Sequence, residues 1–238
     1  MISILTGFTS DDPTRTAIWA WVRGYYARTF PDAEHVTGES HARPFNKAAA
    51  VNAAARKASG DVFLLADADV CLDPGGVREA AASMRATGAA WAFPAAEVYR
   101  LSGQQTAAAL ARPPAPFGAI SKRDCRWHST DLRKLAGWIM VTRGAWEATG
   151  GMDERFSEGW GCEDACFTLA LAALCGPPAV IAGYRAVHLE HDATPGPEGT
   201  YRWPGQAKDY ANLELVNRYG AAAGNAEAMR ALIQGQPR

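Results

Sequence analysis

The chain has 238 residues, which suffice for one large domain or two small ones with a sizeable buried core. Its 24 lysines and arginines balance 25 aspartates and glutamates, so the sequence offers no basic surface for nucleic acid. The longest apolar stretches, such as VFLLA at 62–66, are far shorter than the roughly 20 residues that span a bilayer, and we predict no membrane segment.

In its first part the chain alternates between strand-like and helix-like segments. Asp12 is a candidate cap for the first helix, and Pro13 suits its first position. In chain order we predict a strand at 2–8, helices at 12–30 and 44–59, a strand at 61–70, a helix at 74–87 and a strand at 89–93. This order predicts an α/β fold, with a mostly parallel central sheet flanked by helices in a single domain.

Beyond residue 93 the pattern is less regular. Residues 94–135 show no clear period, so we expect a long functional loop or flap there. We then predict a strand at 137–143, a short helix before a turn at 149–151, a helix at 163–175, a strand at 179–191, a mobile connection at 194–205 and a helical tail at 209–233.

Two features of the sequence favour a cytoplasmic protein. The first residues, MISILTGF, lack the basic region and the cleavage site of a signal peptide. The 5 cysteines are odd in number and include no CxxC pair, so we expect reduced thiols, several of them buried.

Carboxylates and imidazoles follow two of the predicted strands. Asp67 and Asp69, in DADV, share one side of a strand end and suit Mg²⁺ or Mn²⁺ bound to phosphate oxygens. His188 and His191, in HLEHD, make a half-site for a divalent metal. Alone, each pattern is also compatible with an acidic surface turn or with structural histidines.

The stretch GWGCEDACF, residues 159–167, places two acids after an aromatic residue and a glycine. Glu163 and Asp164 suit a first helical turn, where acids complement the helix dipole. An ionised carboxylate is also able to act as a general base, and Trp160 offers a flat face to a sugar ring. A further helix start, at Phe45 and Lys47, places a cation and backbone N–H groups where an anionic nucleotide would fit.

Taken in order, these stretches resemble the inverting family 2-like glycosyltransferases of the GT-A fold, especially the β-1,4-galactosyltransferase type and its bacterial and phage relatives. The resemblance runs from the first strand to about His191. PFNKAAAVNAAARKASGDVFLLADADV resembles the family's nucleotide helix and DxD strand, GGMDERFSEGWGCEDACF its acceptor and catalytic segment, and VHLEH its metal-binding strand end.

The resemblance implies a role for each matching residue. Asp69, His191 and His188 would hold the metal, with His188 replacing a methionine ligand of the galactosyltransferases. Asp164 would be the general base, while Glu163 would hold a sugar. The nucleotide-sugar pocket would be formed by Thr6, Arg15, Phe45, Lys47, Asp67, Asp69 and Trp160.

The resemblance therefore implies a metal-dependent, inverting transfer of a hexose from a nucleotide diphosphate sugar, expected to be a UDP-sugar, to a hydroxyl of an unidentified acceptor. Mn²⁺ is the expected metal and Mg²⁺ the alternative. Residues 1–93 would bind the nucleotide sugar, 94–193 would carry acceptor and catalytic groups, and 194–238 would form a C-terminal loop and helix. Where the family has WGGED, this chain has Cys162 in place of the second glycine. It also has Ala165 where the family commonly has a further acid. Both differences concern the contacts with the acceptor.

Three alternatives remain open at this stage. A retaining enzyme of the same fold, of the N-acetylgalactosaminyltransferase type, would share the metal ligands. A nucleotidyltransferase would also use paired acids, although LTGFTSDDPTRT does not resemble its glycine-rich, basic loop. A non-catalytic nucleotide- or sugar-binding module would bind ligand without turnover.

Overall fold

The structure, a computed structural model, describes residues 1–42, 45–118, 123, 125–131, 137–157, 162–191 and 212–236. The strands in these ranges are β1 Ile2–Gly7, β2 Glu34–Gly38, β3 Val62–Leu65, β4 Val70–Leu72, β5 Trp91–Phe93, β6 Glu97–Arg100, β7 Trp127–Ser129, β8 Met140–Thr142, β9 Ala179–Val180 and β10 Arg185–His188. The helices are α1 Pro13–Thr29, α2 Lys47–Lys57, α3 Pro74–Thr87, α4 Gly103–Leu110, α5 Arg143–Thr149, α6 Glu163–Cys175, α7 Leu213–Ala222 and α8 Ala226–Ile233.

The central sheet has six strands in the order β2-β1-β3-β8-β5-β9. Five strands run in one direction, and β8 alone is antiparallel to its neighbours β3 and β5. The prediction of a mostly parallel central sheet is therefore confirmed. Its inner strands are buried on both faces, as expected where helices cover a parallel sheet; among their fully buried residues are Leu5, Phe63, Leu64 and Met140.

A second sheet, which the sequence did not predict, has the order β4-β10-β6-β7. β10 pairs parallel with β6, in a register that places His188 opposite Arg100. On its other side β10 pairs antiparallel with β4, which places His188 opposite Val70. Its strands β4 and β10 lie before and after the predicted flap at 94–135, and β6 and β7 lie within it. Their pairing fixes the end of β10, where the histidines lie.

Capping side chains determine the residue at which three of the predicted helices begin. Asp12 caps α1 by accepting from the backbone N–H groups of Thr14 and Arg15, as predicted. α3 spans the predicted residues, with Asp73 as its cap. α2 begins later than predicted, at Lys47, because the side chain of Asn46 accepts from the N–H of Ala49; Pro44 lies outside the described residues.

Several predicted boundaries were wrong. β2 had not been predicted, and the expected loop at 94–135 contains β6, α4 and β7. The strand predicted at 61–70 ends at Leu65, and β4 begins at Val70. The strand predicted at 179–191 is two strands in different sheets, separated where Gly183 takes a φ of 83°. The helical tail is two helices, with a break at Gly224, while the connection predicted at 194–205 lies outside the described residues.

Gly38, the last residue of β2, lets α2 lie directly against the central sheet. A Cβ at this position would overlap the carbonyl oxygen of Ala50 and the amide nitrogen of Ala54. The small side chains of α2 that face the sheet are fully buried, including Ala48, Ala50 and Ala54. Backbone therefore packs against backbone, which fixes the position of α2 within narrow limits.

The C-terminal helices α7 and α8 pack against α6 around a second apolar cluster that includes Phe156 and Tyr219. A polar network lies beside it. The buried Asp153 carboxylate accepts from the Tyr219 hydroxyl at 2.9 Å and pairs with Arg155, whose Nη2 lies 2.6 Å away. Arg155 also donates to the carbonyl of Leu232 in α8 at 3.1 Å.

Within the described residues, no helix combines the length and apolarity that a membrane span requires.

Candidate active site

Four elements direct polar side chains to one edge of the fold. Asp67 and Asp69 follow the C-terminal end of β3, and His188 ends β10. α2 begins with Lys47, and α6 begins with Glu163 and Asp164. The carboxyl edge of an open α/β sheet is the usual location of a ligand site. The structure thus brings together groups that are separated by more than a hundred residues in the sequence.

Asp69, His188 and His191 form the first cluster. Each offers one ligand atom, and these atoms all lie within 4.8 Å of one another. The Asp69 carboxylate lies 2.8 Å from Nε2 of His191 through Oδ2, and 3.6 Å from Nε2 of His188 through Oδ1. All three side chains are nearly nine-tenths buried.

This cluster fits a divalent cation. Oδ1 of Asp69 is buried and has no hydrogen-bond partner among the described residues, an arrangement that is costly unless a cation completes it. A carboxylate suits Mn²⁺ and imidazoles suit Zn²⁺ and Fe²⁺, so the three ligands together fit a divalent transition metal. Burial alone would raise the pKa of Asp69, but His188, His191 and Arg15 outweigh it and hold that pKa well below its usual range, so the carboxylate is ionised.

Each histidine also accepts a hydrogen bond from the guanidinium of an arginine. Arg15 donates to Nδ1 of His191 at 2.9 Å, and its Nη2 lies 3.6 Å from Asp69. Arg100 donates to Nε2 of His188 at 3.0 Å. Burial lowers the pKa of His188 to about 4; Asp69 opposes this effect and Arg100 adds to it, so the imidazole is neutral at neutral pH.

Lys47 joins two carboxylates in the second cluster. Its Nζ lies 2.5 Å from Oδ1 of Asp67 and 2.7 Å from Oδ2 of Asp164. Burial opposes the charge of Lys47, but Asp164, Asp67 and Glu163 outweigh it and hold the pKa of this lysine well above its usual value. Burial raises the pKa of Asp67 to about 7, which Lys47 lowers in part while Asp164 and Asp69 raise it.

Gly137, just before β8, allows this second cluster to form. A Cβ at Gly137 would overlap Oδ2 of Asp67 and would lie 3.5 Å from Oδ2 of Asp164. Because β8 is antiparallel to β3, the residues that precede β8 lie at the edge where β3 ends. The reversed strand therefore supplies the backbone against which the two acids pack.

α2 also holds the backbone that leads towards α6. Asn46 donates to the carbonyl of Glu154 at 2.8 Å. Asn52 donates to the carbonyl of Met152 at 2.8 Å and accepts from its N–H at 3.0 Å. These buried amides position residues 152–154, which lie within the stretch that resembles the family's acceptor and catalytic segment.

Cys162, the residue before Glu163, has an unusual backbone. Its φ of 79° and ψ of −11° are left-handed, and no other non-glycine residue among those described has a positive φ. This conformation strains a residue that carries a Cβ. Burial raises the pKa of its thiol, and Glu163 and Asp164 add to that shift. Here the chain has a cysteine where the resembling family has a glycine.

Replacement of Cys162 by glycine is therefore expected to raise the free energy of unfolding, by about 1 kcal/mol, because glycine adopts this conformation without strain. Chemical denaturation of the purified protein measures the change. Cys175→Gly is the matched control: it makes the same substitution within α6, where φ is not positive, and should lower stability by about 1 kcal/mol. Equal losses in the two variants would contradict the prediction.

The remaining predicted residues lie as follows. Thr6 is buried in β1, and Phe45 is half-buried just before the cap of α2. Trp160 lies outside the described residues. Sequence reasoning missed Arg100, Gly137 and Asn52. Arg100 belongs to no motif and is identified only by its register with His188, whereas a glycine before an apolar strand is a weak signal of close approach.

The sequence matches the family model described as glycosyl transferase family 2 over residues 9–144, which is more than half of the chain. No curated protein matches the sequence. Among solved structures, S. aureus TarS 1–349 in complex with UDP-GlcNAc superposes with a TM-score of 0.50 at 10% identity, covering 98% of this chain and 70% of that one.

Two other solved structures are similar at lower TM-scores. The catalytic domain of Drosophila β1,4-galactosyltransferase 7, in complex with xylobiose, gives 0.49 at 15% identity, covering 92% of this chain and 79% of that one. The mannosyltransferase PcManGT from Pyrobaculum calidifontis, in complex with GDP-Man and Mn²⁺, gives 0.46 at 14% identity, covering 96% and 64%.

Proposed function

The chain belongs to glycosyltransferase family 2 and has the GT-A fold, and on that premise we propose that it is a metal-dependent, inverting hexosyltransferase that uses a UDP-sugar. One observation carries the proposal. The Asp69–His188–His191 cluster and the Lys47–Asp67–Asp164 cluster lie at the same edge, because Asp67 and Asp69 leave β3 together. A candidate cation site and a candidate base thus flank one location.

Asp69, His188 and His191 are proposed to hold the cation. A divalent ion bound there would neutralise the charge that develops on a departing nucleoside diphosphate. Arg15 and Lys47, which lie in the two clusters, are proposed to bind the same phosphates. Thr6, Phe45, Asp67 and Trp160 are proposed to contribute to the nucleotide-sugar pocket, and Glu163 to hold a sugar hydroxyl.

Asp164 is proposed to be the general base. Its Oδ2 would accept the proton of the acceptor hydroxyl as that oxygen attacks the anomeric carbon, and a single displacement inverts the configuration. Lys47 holds this oxygen in place at 2.7 Å, and the first turn of α6 fixes its direction. Glycans, lipids, proteins and other compounds that carry a hydroxyl are the acceptor classes to screen.

Calorimetric titration of UDP, and then of GDP, into metal-free protein tests the proposal, with and without Mn²⁺. We expect UDP binding that strengthens with Mn²⁺ and loses at least about tenfold in affinity in Asp69→Asn, which removes the ionised ligand but keeps its size. GDP is included because similar folds hold UDP-GlcNAc in TarS and GDP-Man in the mannosyltransferase.

Asp32→Asn, in an exposed turn, is the matched control and should leave both affinities unchanged. Binding of neither nucleotide, or binding that ignores both Mn²⁺ and Asp69, would contradict the proposed function. Once a donor is found, the anomeric configuration of the product separates the inverting enzyme proposed here from a retaining one.

A further inference from the structure

Arg100 is held beside the candidate metal centre by strand pairing. β6 and β10 are parallel neighbours, and their register places Arg100 directly opposite His188. The ladder continues with the N–H of Leu101 bonded to the carbonyl of His188 at 2.9 Å. Directly opposed residues of paired strands lie on the same face, so the two side chains meet.

The contact occupies the nitrogen of His188 that faces the Asp69 carboxylate. Nε2 of His188 accepts from Nη2 of Arg100 at 3.0 Å, and this same nitrogen lies 3.6 Å from Oδ1 of Asp69. One imidazole nitrogen has one lone pair, so it is not able to serve the guanidinium and a metal at once. Arg15 contacts His191 differently: it is closest to Nδ1, at 2.9 Å, whereas Nε2 of His191 faces Oδ2 of Asp69 at 2.8 Å.

We propose that Arg100 is a phosphate-binding residue of the donor site, and that its transfer from His188 to a nucleoside diphosphate releases His188 to the cation. This inference rests on the proposed function and adds to it a residue and an energetic coupling. A guanidinium bonds a phosphate through two charge-assisted hydrogen bonds, which are stronger than one bond to a neutral imidazole. Cation and nucleotide should therefore bind as a pair.

The coupling follows from charge. While Arg100 contacts His188, a divalent ion meets a positive charge and a blocked ligand; once a diphosphate takes the guanidinium, both obstacles are removed. Coupling between two ligands is reciprocal, so the nucleotide raises the affinity for the cation by the factor by which the cation raises the affinity for the nucleotide.

Titrations with Mn²⁺ alone, UDP alone and Mn²⁺ with saturating UDP test the inference, using the spin resonance signal of free Mn²⁺ and calorimetry. In the wild type we expect UDP to tighten Mn²⁺ binding at least about tenfold. In Arg100→Met we expect Mn²⁺ alone to bind about tenfold more tightly, because a charge is removed and a ligand atom is freed, while UDP alone binds more weakly.

Arg100→Gln is measured in the same way, so that the result does not depend on one variant, and thermal unfolding checks that each is folded. Arg185→Met removes a cation from the same strand as His188, where the guanidinium contacts the carbonyl of Gly118, and should leave the Mn²⁺ affinity unchanged. Unchanged or weaker binding of Mn²⁺ alone in both Arg100 variants would overturn the inference but leave the proposed function intact. A wild type that binds neither Mn²⁺ nor UDP would overturn both.

Discussion

Replacement of Asp164 by asparagine is expected to lower turnover by about 10²–10⁴-fold, the range that a general base contributes, with nucleotide and metal affinities unchanged. An amide is not able to take the proton of an attacking hydroxyl, although it has the size of the carboxylate. Lys47 keeps its partner Asp67 at 2.5 Å, and the proposed cation ligands lie in the other cluster, so the proposed binding site should remain assembled.

The measurement is the release of UDP from a panel of UDP-hexoses in the presence of Mn²⁺, first with water and then with candidate acceptors. Glu214→Gln is a matched control, since Glu214 is also an acid in the first turn of a helix and is exposed on α7. Retention of turnover within threefold in Asp164→Asn would remove Asp164 from the role of base.

Replacement of Asp153 by alanine is expected to lower the free energy of unfolding by about 3 kcal/mol, the cost of breaking a buried ion pair. Asp153 is 4% exposed and serves both Arg155 and the hydroxyl of Tyr219. Its loss leaves the Arg155 guanidinium without its carboxylate and the buried Tyr219 hydroxyl without its acceptor. Because these groups join α7 and α8 to the segment before α6, the C-terminal helices should loosen first.

Urea denaturation followed by far-ultraviolet circular dichroism measures this loss. Tyr219→Phe removes one hydrogen bond and should cost about 1 kcal/mol. Arg56→Ala breaks an ion pair to Glu154 in which the arginine side chain is 66% exposed, and it should change stability by less than about 0.5 kcal/mol. A loss below 1 kcal/mol in Asp153→Ala would show that the network does not hold the helices.

The elements that carry strong local signals were predictable. β1 and β3 are continuous apolar runs, and the start of α3 is marked by a cap within its own sequence. Asp12 before Pro13 marks the start of α1 in the same way. The second sheet was not predictable in this way, because its strands are three or four residues long and are stabilised by partners far apart in sequence, such as β10 with β6.

The candidate site shows the same division. Asp69 and the two histidines were grouped as metal ligands from their motifs and the family resemblance, and the structure brings them together. The contact of Lys47 with Asp164 joins residues 117 positions apart, and no pattern in the sequence records it. The strain at Cys162 is also invisible to pattern reasoning, since it depends on the backbone path into α6.

The narrow space at Gly38 has a consequence for the candidate site. Gly38 contacts α2 at Ala50, one helical turn from Lys47. α2 is about 16 Å long and moves largely as a rigid body. A side chain at Gly38 would push α2 away from the sheet and increase the distance between the ammonium group of Lys47 and Asp164. At Gly88, by contrast, no atom of the described residues lies within 4 Å of an added Cβ, so a side chain there would not push a helix aside. Gly38 thus sets the spacing between Asp164, the proposed base, and its counter-ion Lys47, although it lies outside both clusters.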